Sequence, residues 1–392
     1  MARAIHYYSL AANQNDSNAQ NKLGVIYYDG IYVTRDINKA IHYFTLAANQ
    51  NDSKAQFNLG VIYYNGIYVT RDINKAIHYY SLAANQNHSN AQFNLGVIYY
   101  EGIYVTRDIN KAIHYYSLAA DQNNSYAQFI LGLMYLRGNC VPENIKKGIY
   151  LFTLSALNGC IDANFCVGYF YHRGFYMKRD VNKAIHYYKE ASSFNNPYAK
   201  NNLGILFKNG YKDEIAVNLG LSIEYFKEAI RQENDEVSMY NLAHLYFYED
   251  PIKDSIDKSI ELLINSIKSG FQQSEELLCI ALIKKHNFDV DIIITEIDDI
   301  IQESEELSFD ICEMIINSEL LEQNYFESRY EYNRNIDFLY DIDLEPCISK
   351  IIYDSEIITN STPNPKIFNI SKLFYEGFEG ESYFSTPLFE NF

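Results

Sequence analysis

At 392 residues the chain is too long for one compact core and suits either two or three domains or a single extended array of repeated units. Hydrophobic residues make up 48% and charged residues 21%, a globular balance, while 37 Tyr, no Trp and only 7 Pro favour helices joined by short turns. The net charge of −18 sits at one end: residues 271–392 hold 26 acidic and 7 basic residues against 24 and 25 in residues 1–270, which argues against nucleic acid and anionic membrane surfaces as partners.

The start, Met1 to Tyr8, lacks the apolar core of a signal peptide, and no stretch approaches 18 uninterrupted apolar residues. No direct membrane insertion is expected. Six cysteines (Cys140, Cys160, Cys166, Cys279, Cys312, Cys347) fall irregularly with no C-x-x-C pair, as in reduced thiols, so the expectation is a soluble, cytoplasmic protein. Glycosylation-type triplets at Asn15, Asn51, Asn87 and Asn360 are read as turn chemistry. Residues 1–16 read as the second helix of a unit whose first helix is missing, which raises the expectation that further residues precede Met1.

A period follows. Lys39-Ala40-Ile41-His42-Tyr43 returns at Lys75 and Lys111, in altered form at Lys147, and again at Lys183, 36 residues apart each time. Looser copies begin at Ser222 and Ser259. Such a period marks stacked supersecondary units. Within one unit, Ala55, Leu59-Gly60 and Tyr63 share a face of a first helix, and Ala76, Tyr79, Tyr80, Ala83 and Ala84 the buried side of a second. Ser53, with Gln56 three residues on, predicts a capping box, repeated at Ser17, Ser89 and Ser125; Gly66 ends the first helix and Asp72 caps the second. Paired helices of about 13 residues, with loops of roughly seven and four, must stack on their neighbours to bury their apolar faces. Gly60 and Ala76 would allow a close approach of the pair, and the tyrosines would fill the space between successive pairs.

The unit Ala55, Leu59-Gly60, Tyr63, Gly66, then Val69, Asp72, Lys75-Ala76, Tyr79-Tyr80 and Ala83-Ala84 resembles the Sel1-like repeat, a relative of the tetratricopeptide repeat. The resemblance covers about seven units in residues 17–270. It implies an all-α, right-handed α-α superhelical solenoid of Sel1-like repeats that holds other proteins, as peptide or helical segments, along its concave face and uses no cofactor. Tyr32, Tyr68 and Tyr104 stand where the family has a second loop glycine, so a different loop path is expected there, because Tyr tolerates positive φ poorly. Some secreted Sel1-like proteins are associated with β-lactam hydrolysis; they carry regular cysteine pairs that this chain lacks. A self-assembling structural protein, stacking end to end, is the alternative to an adaptor, which leaves monomer and end-to-end self-association both open.

By similarity to tetratricopeptide arrays, a second stripe on the first helix would line the concave surface: Phe57, Val61 and Tyr64, then Phe93, Val97 and Tyr100, then Phe129, Leu133 and Leu136, then Phe165 and Tyr169. It is broader than one buried face requires, which points to a shallow apolar groove for a peptide or helix; packing against the next unit is the competing reading. The stripe turns polar at His172, Asn201 and Lys208. The histidines His6, His42, His78, His114 and His186 lie a unit apart, about 10 Å, and cannot share one ion that needs its ligands at about 2 Å, so no metal is expected. Nearly identical units also lack a role-differentiated catalytic constellation, and no enzyme is expected. After Gly270 the period fails. Ser274–His286, Val290–Gln302 and Leu307–Gln323 read as capping helices within residues 271–324, and residues 325–392 as an acidic, aromatic tail that docks on a partner, fills the chain's own groove, or stays solvated.

Overall fold

The computed structural model describes residues 2–297, apart from 31–32, 139, 212–214, 250–254, 288, 290–291 and 294. Tyr32, the expected helix over Leu307–Gln323, most of that over Val290–Gln302 and the acidic tail lie outside the described residues. The chain divides into two compact units between Asn164 and Phe165. Sixteen α-helices run through the described residues. In the first unit, α1 (Ala2–Asn13) is followed by the hairpins α2 (Ser17–Asp29) and α3 (Ile37–Ala48), α4 (Ser53–Asn65) and α5 (Ile73–Ala84), α6 (Ser89–Glu101) and α7 (Ile109–Asp121), and α8 (Ser125–Arg137) and α9 (Ile145–Leu157). The division falls in α10 (Ile161–Arg173), which pairs with α11 (Val181–Ser193); α12 (Pro197–Asn209) pairs with α13 (Leu219–Glu233), α14 (Glu236–Tyr248) with α15 (Ser255–Lys268), and α16 (Ser274–Lys285) follows.

Each hairpin is drawn together at one point. A Cβ on Gly60 of α4 would meet Tyr80 Cδ1 of α5 at 2.5 Å, so only glycine admits the ring. The same approach recurs at Gly24 with Phe44, Gly96 with Tyr116, Gly132 with Phe152, Gly168 with Tyr188 and Gly204 with Phe226. In α14 the position is Ala243, and the residue of α15 in the ring's register is Leu263, a smaller side chain. At Gly148, which replaces Ala76, Leu136 takes the vacated space, 2.6 Å from where a Cβ would lie. On α1, Tyr8 holds the ring position and is 36% exposed, since no glycine-bearing helix faces it among the described residues.

Of the tyrosines expected between successive pairs, Tyr80 packs there, while Tyr63 and Tyr79 stack on each other inside their own pair. Tyr63 lies on Tyr79 at 5.9 Å between centroids and 6° between planes, with Lys75 Nζ 4.9 Å above Tyr63, and Tyr99, Tyr115 and Lys111 repeat the arrangement. Successive pairs meet through alanines and larger side chains together: Phe57, Val61, Tyr80, Ala83 and Ala84 form one core with Ala91, Leu95 and Ile98 of the next repeat.

The capping differs from the serine box. The N-cap of α4 is Asp52, whose side chain accepts from Ala55 N at 2.8 Å; Asp16, His88 and Asn124 serve α2, α6 and α8. Serine stands one residue inside, because the chain leaves the turn through Asn51 at φ 62° and the extended residue that follows is Asp52. Gln56 is thereby free for another task. Its Nε2 donates to Ala48 O at 3.2 Å and its Oε1 accepts from Gln86 at 2.7 Å, a buried bridge repeated by Gln20, Gln92 and Gln128. Asn15, Asn51, Asn87 and Asn123 all occupy the left-handed turn, which accounts for the triplets in the described part of the chain.

Gly60→Ala is expected to destabilise the chain by about 1–3 kcal/mol, and adding Tyr80→Leu to recover part of that loss, read by thermal unfolding. Losses that simply add would contradict the size matching between Ala243 and Leu263.

Candidate functional site

Nine of the eleven stripe residues are buried. Phe57 is 4% exposed and packs on Tyr80 and His88; Phe93 packs on Tyr116, Phe129 on Phe152, and Phe165 on Tyr188. Val61, Val97, Leu133, Leu136 and Tyr169 are likewise buried, while Tyr64 and Tyr100 keep partial access to solvent. The histidines His42, His78, His114 and His186 stand exposed on the outer face of the second helices, each edge-on to the tyrosine that follows it.

Large apolar side chains are displayed instead on the loop between the paired helices. Ile67 is 68% exposed and Tyr68 45%, and Ile103 and Tyr104 repeat them at 62% and 46%; Phe175 and Tyr176 are equally open in the second unit. These residues are held rather than loose. Gly66, left-handed at φ 63°, leaves room for Arg71, whose Nη2 donates to Asn65 O at 3.3 Å, a terminal carbonyl of its own α4. The other guanidinium arm reaches forward to the Tyr104 hydroxyl of the next repeat, with its carbon 5.3 Å from the ring centroid. Arg35 does the same for Tyr68, its Nη1 donating to Tyr68 Oη at 2.6 Å, and Tyr68 in turn packs edge-on against Tyr28.

The brace is interrupted at Arg107 and its ring contact returns in the second unit, where the Arg179 guanidinium carbon lies 4.2 Å from the Tyr211 centroid. Position 140 is Cys, so Arg107 turns back, its Nε donating to Tyr100 O at 2.9 Å, and lies over the Tyr100 ring. The loop path changes in step: Tyr68 and Tyr104 avoid positive φ, as expected for tyrosine, but Cys140 and Tyr176 at the same position adopt 68° and 60°.

Behind the loop edge lies a polar cluster. Glu101, the last residue of α6, has its carboxyl pushed up to about 7 by burial, with the Tyr64 hydroxyl drawing it back. The Tyr116 hydroxyl lies near Glu101, Tyr64 and Tyr100, and burial holds its phenol far above the ordinary range. Tyr80 Oη, Asn94 Nδ2 and Tyr116 Oη are buried without a hydrogen bond of normal geometry. A negative charge on Glu101 would also face the negative end of the helix dipole, whereas the equivalent Arg137 and Arg173 suit it.

Neither the loop display nor this cluster was singled out from the sequence. The signal was present, since Gly-Ile-Tyr-Val-Thr-Arg-Asp recurs unchanged at 66 and 102, and an apolar pair in a loop has no hairpin face to bury.

The Sel1 repeat family matches residues 1–16, 17–52, 53–88, 89–124, 125–160, 161–193, 197–234 and 237–271. The fold is similar to that of a protective antigen of uropathogenic Escherichia coli with an SLR fold, at 22% identity and a TM-score of 0.61, over 86% of this chain and 83% of that one. A Sel1 repeat protein from Oxalobacter formigenes is 30% identical with a TM-score of 0.51, over 56% of this chain and 89% of that one. No curated protein matches the chain.

Because the folded carboxyl of Glu101 titrates above its unfolded value, its protonated form favours the fold: that contribution is complete below about pH 4.5 and is lost as pH rises toward 7. Glu101→Gln is expected to melt above the parent chain at pH 8, with the gap closing toward pH 5. A gap independent of pH would contradict the placement.

Proposed function

We propose that this chain, which belongs to the Sel1 repeat family, is a non-catalytic scaffold that holds partner proteins along its loop edge, at Ile67, Tyr68, Ile103 and Tyr104, with Tyr64 and Tyr100 behind them. Sel1 and tetratricopeptide-like repeats generally mediate protein–protein interaction, which is the coarse reading the family supports. No described helix is long and apolar enough to cross a membrane.

The observation that carries the finer reading is the repeated exposure of an Ile-Tyr pair whose tyrosine is fixed by an arginine from the preceding repeat. An apolar pair in water gains by burial, and one already ordered by its neighbours loses little entropy on binding. Repeats about 10 Å apart match apolar residues at i and i+3 of a polyproline-II segment, which turns once in three residues, or at i and i+7 of a helix. The buried phenylalanines of the stripe set the shape beneath this edge without touching the partner.

Ile67→Ser with Ile103→Ser removes the two exposed loop isoleucines and leaves both arginine braces in place. In affinity purification from the native cell, this variant is expected to lose the same few partners by about tenfold, while remaining folded by circular dichroism. A control carrying His42→Ser, His78→Ser and His114→Ser should keep them. Partners retained by the edge variant and lost from the control would overturn the proposal.

A further inference from the structure

The loops at 66–72 and 102–108 carry the same seven residues, yet the residue that leads into them differs: Asn65 closes α4 and Glu101 closes α6. Two identical loops would offer a partner two equal registers, and Glu101 removes that equality. Its surroundings are those of an acid short of a counter-charge. It stands at the negative end of α6, it is half-buried, and the Tyr64 hydroxyl donates to it from the preceding repeat. Among the described residues no lysine or arginine pairs with it.

The nearby guanidiniums serve Tyr100 instead. Arg107 Nε donates to Tyr100 O at 2.9 Å with its carbon 5.1 Å from the ring centroid, and the charge of Arg137 also acts on the Tyr100 phenol. At the same position of the first hairpin, Asp29 has the charge of Arg35 beside it, and in α8 and α10 the position is itself a cation, Arg137 or Arg173. Beside the Glu101 carboxyl lies the Tyr116 hydroxyl, wholly buried and without a hydrogen bond of normal geometry. Burial alone favours the neutral acid, a weaker acceptor than a carboxylate. A cation arriving from outside would fix the charge, and the carboxylate could then accept from both phenols.

We infer that Glu101 sets the specificity of the loop edge by taking an arginine or lysine of the partner, carried within about three residues of the apolar side chain that rests on Ile103. Glu101 and Ile103 are two positions apart, so their Cα atoms lie within about 7 Å, the rise of two or three residues of a polyproline-II segment. Ile67 has the neutral Asn65 in that place, so one register alone pairs charge with charge. The inference rests on the reading of the loop edge as a binding surface and adds the chemistry of what binds there.

A random dodecapeptide library displayed on phage is selected at pH 8 on the intact chain, on Glu101→Gln, and on Ile67→Ser with Ile103→Ser. Peptides enriched on the parent chain are expected to carry Arg or Lys within about three positions of a large apolar residue, and those enriched on Glu101→Gln to keep the apolar residue without the basic one. In one selected peptide, exchanging the basic residue for an uncharged isostere, citrulline for arginine or norleucine for lysine, should weaken binding to the parent chain by about tenfold or more and to Glu101→Gln by less than about twofold. Apolar peptides with no basic residue, or an isostere that costs the same on both chains, would overturn the inference and leave the loop edge standing. Selected peptides that bind the double isoleucine variant as well as the parent, or no enrichment on the parent at all, would remove the edge and the inference with it.

Discussion

The structure depends on the contact between a glycine of the first helix and a ring of the second. With no Cβ at Gly60, the Tyr80 ring lies against the backbone of α4, and the two helices come closer than ordinary side chains allow. The contact recurs in six hairpins, and where Ala243 takes the glycine's place, Leu263 takes the ring's. A volume added on one helix is removed from the other, as expected of a close-packed interior that tolerates neither voids nor overlap. The spacing of each pair in turn sets the distance at which one repeat meets the next through Ala83, Ala84 and Ala91.

This constraint decides where function can reside. A first helix pinned against its own partner and against its neighbours has most of its surface covered, as the run from Ala55 to Ile62 shows. The second helix shows solvent a face of lysines, asparagines and histidines, and the apolar pair that recurs in the open is in the loops, at Ile67, Tyr68, Ile103 and Tyr104. Arginine makes those loops rigid by joining two repeats, one arm on its own helix terminus and the other on the next tyrosine. The joint is local: Cys140 in place of tyrosine interrupts it, and Arg179 over Tyr211 resumes the ring contact in the second unit.

Much of the fold was legible because the period fixes both the length and the face of each helix. Gly66 and Asp72 marked a helix end and a helix start, and both act so: Gly66 is left-handed and Asp72 accepts from Lys75 N. The serine caps were misplaced because Asp52 and Ser53 are both good caps, and only the left-handed Asn51 decides which of them leaves the turn extended. The stripe was harder to place. Spacing shows that Phe57, Val61 and Tyr64 share a face, but in an array the next repeat covers part of every face, so exposure depends on distances that no single unit carries. The loop pairs were missed for the converse reason: with no helical period of their own, they register only through repetition, and their order rests on Arg35 and Arg71, each one repeat away.

A photoreactive benzophenone residue placed at Ile103 or at His114 of the intact chain, irradiated in the native cell, tests the central claim most directly. The account expects one partner to be captured from Ile103 and not from His114, which lies on the outer face of α7. Capture of that partner from His114 alone would show that the helix face, and not the loop edge, does the binding.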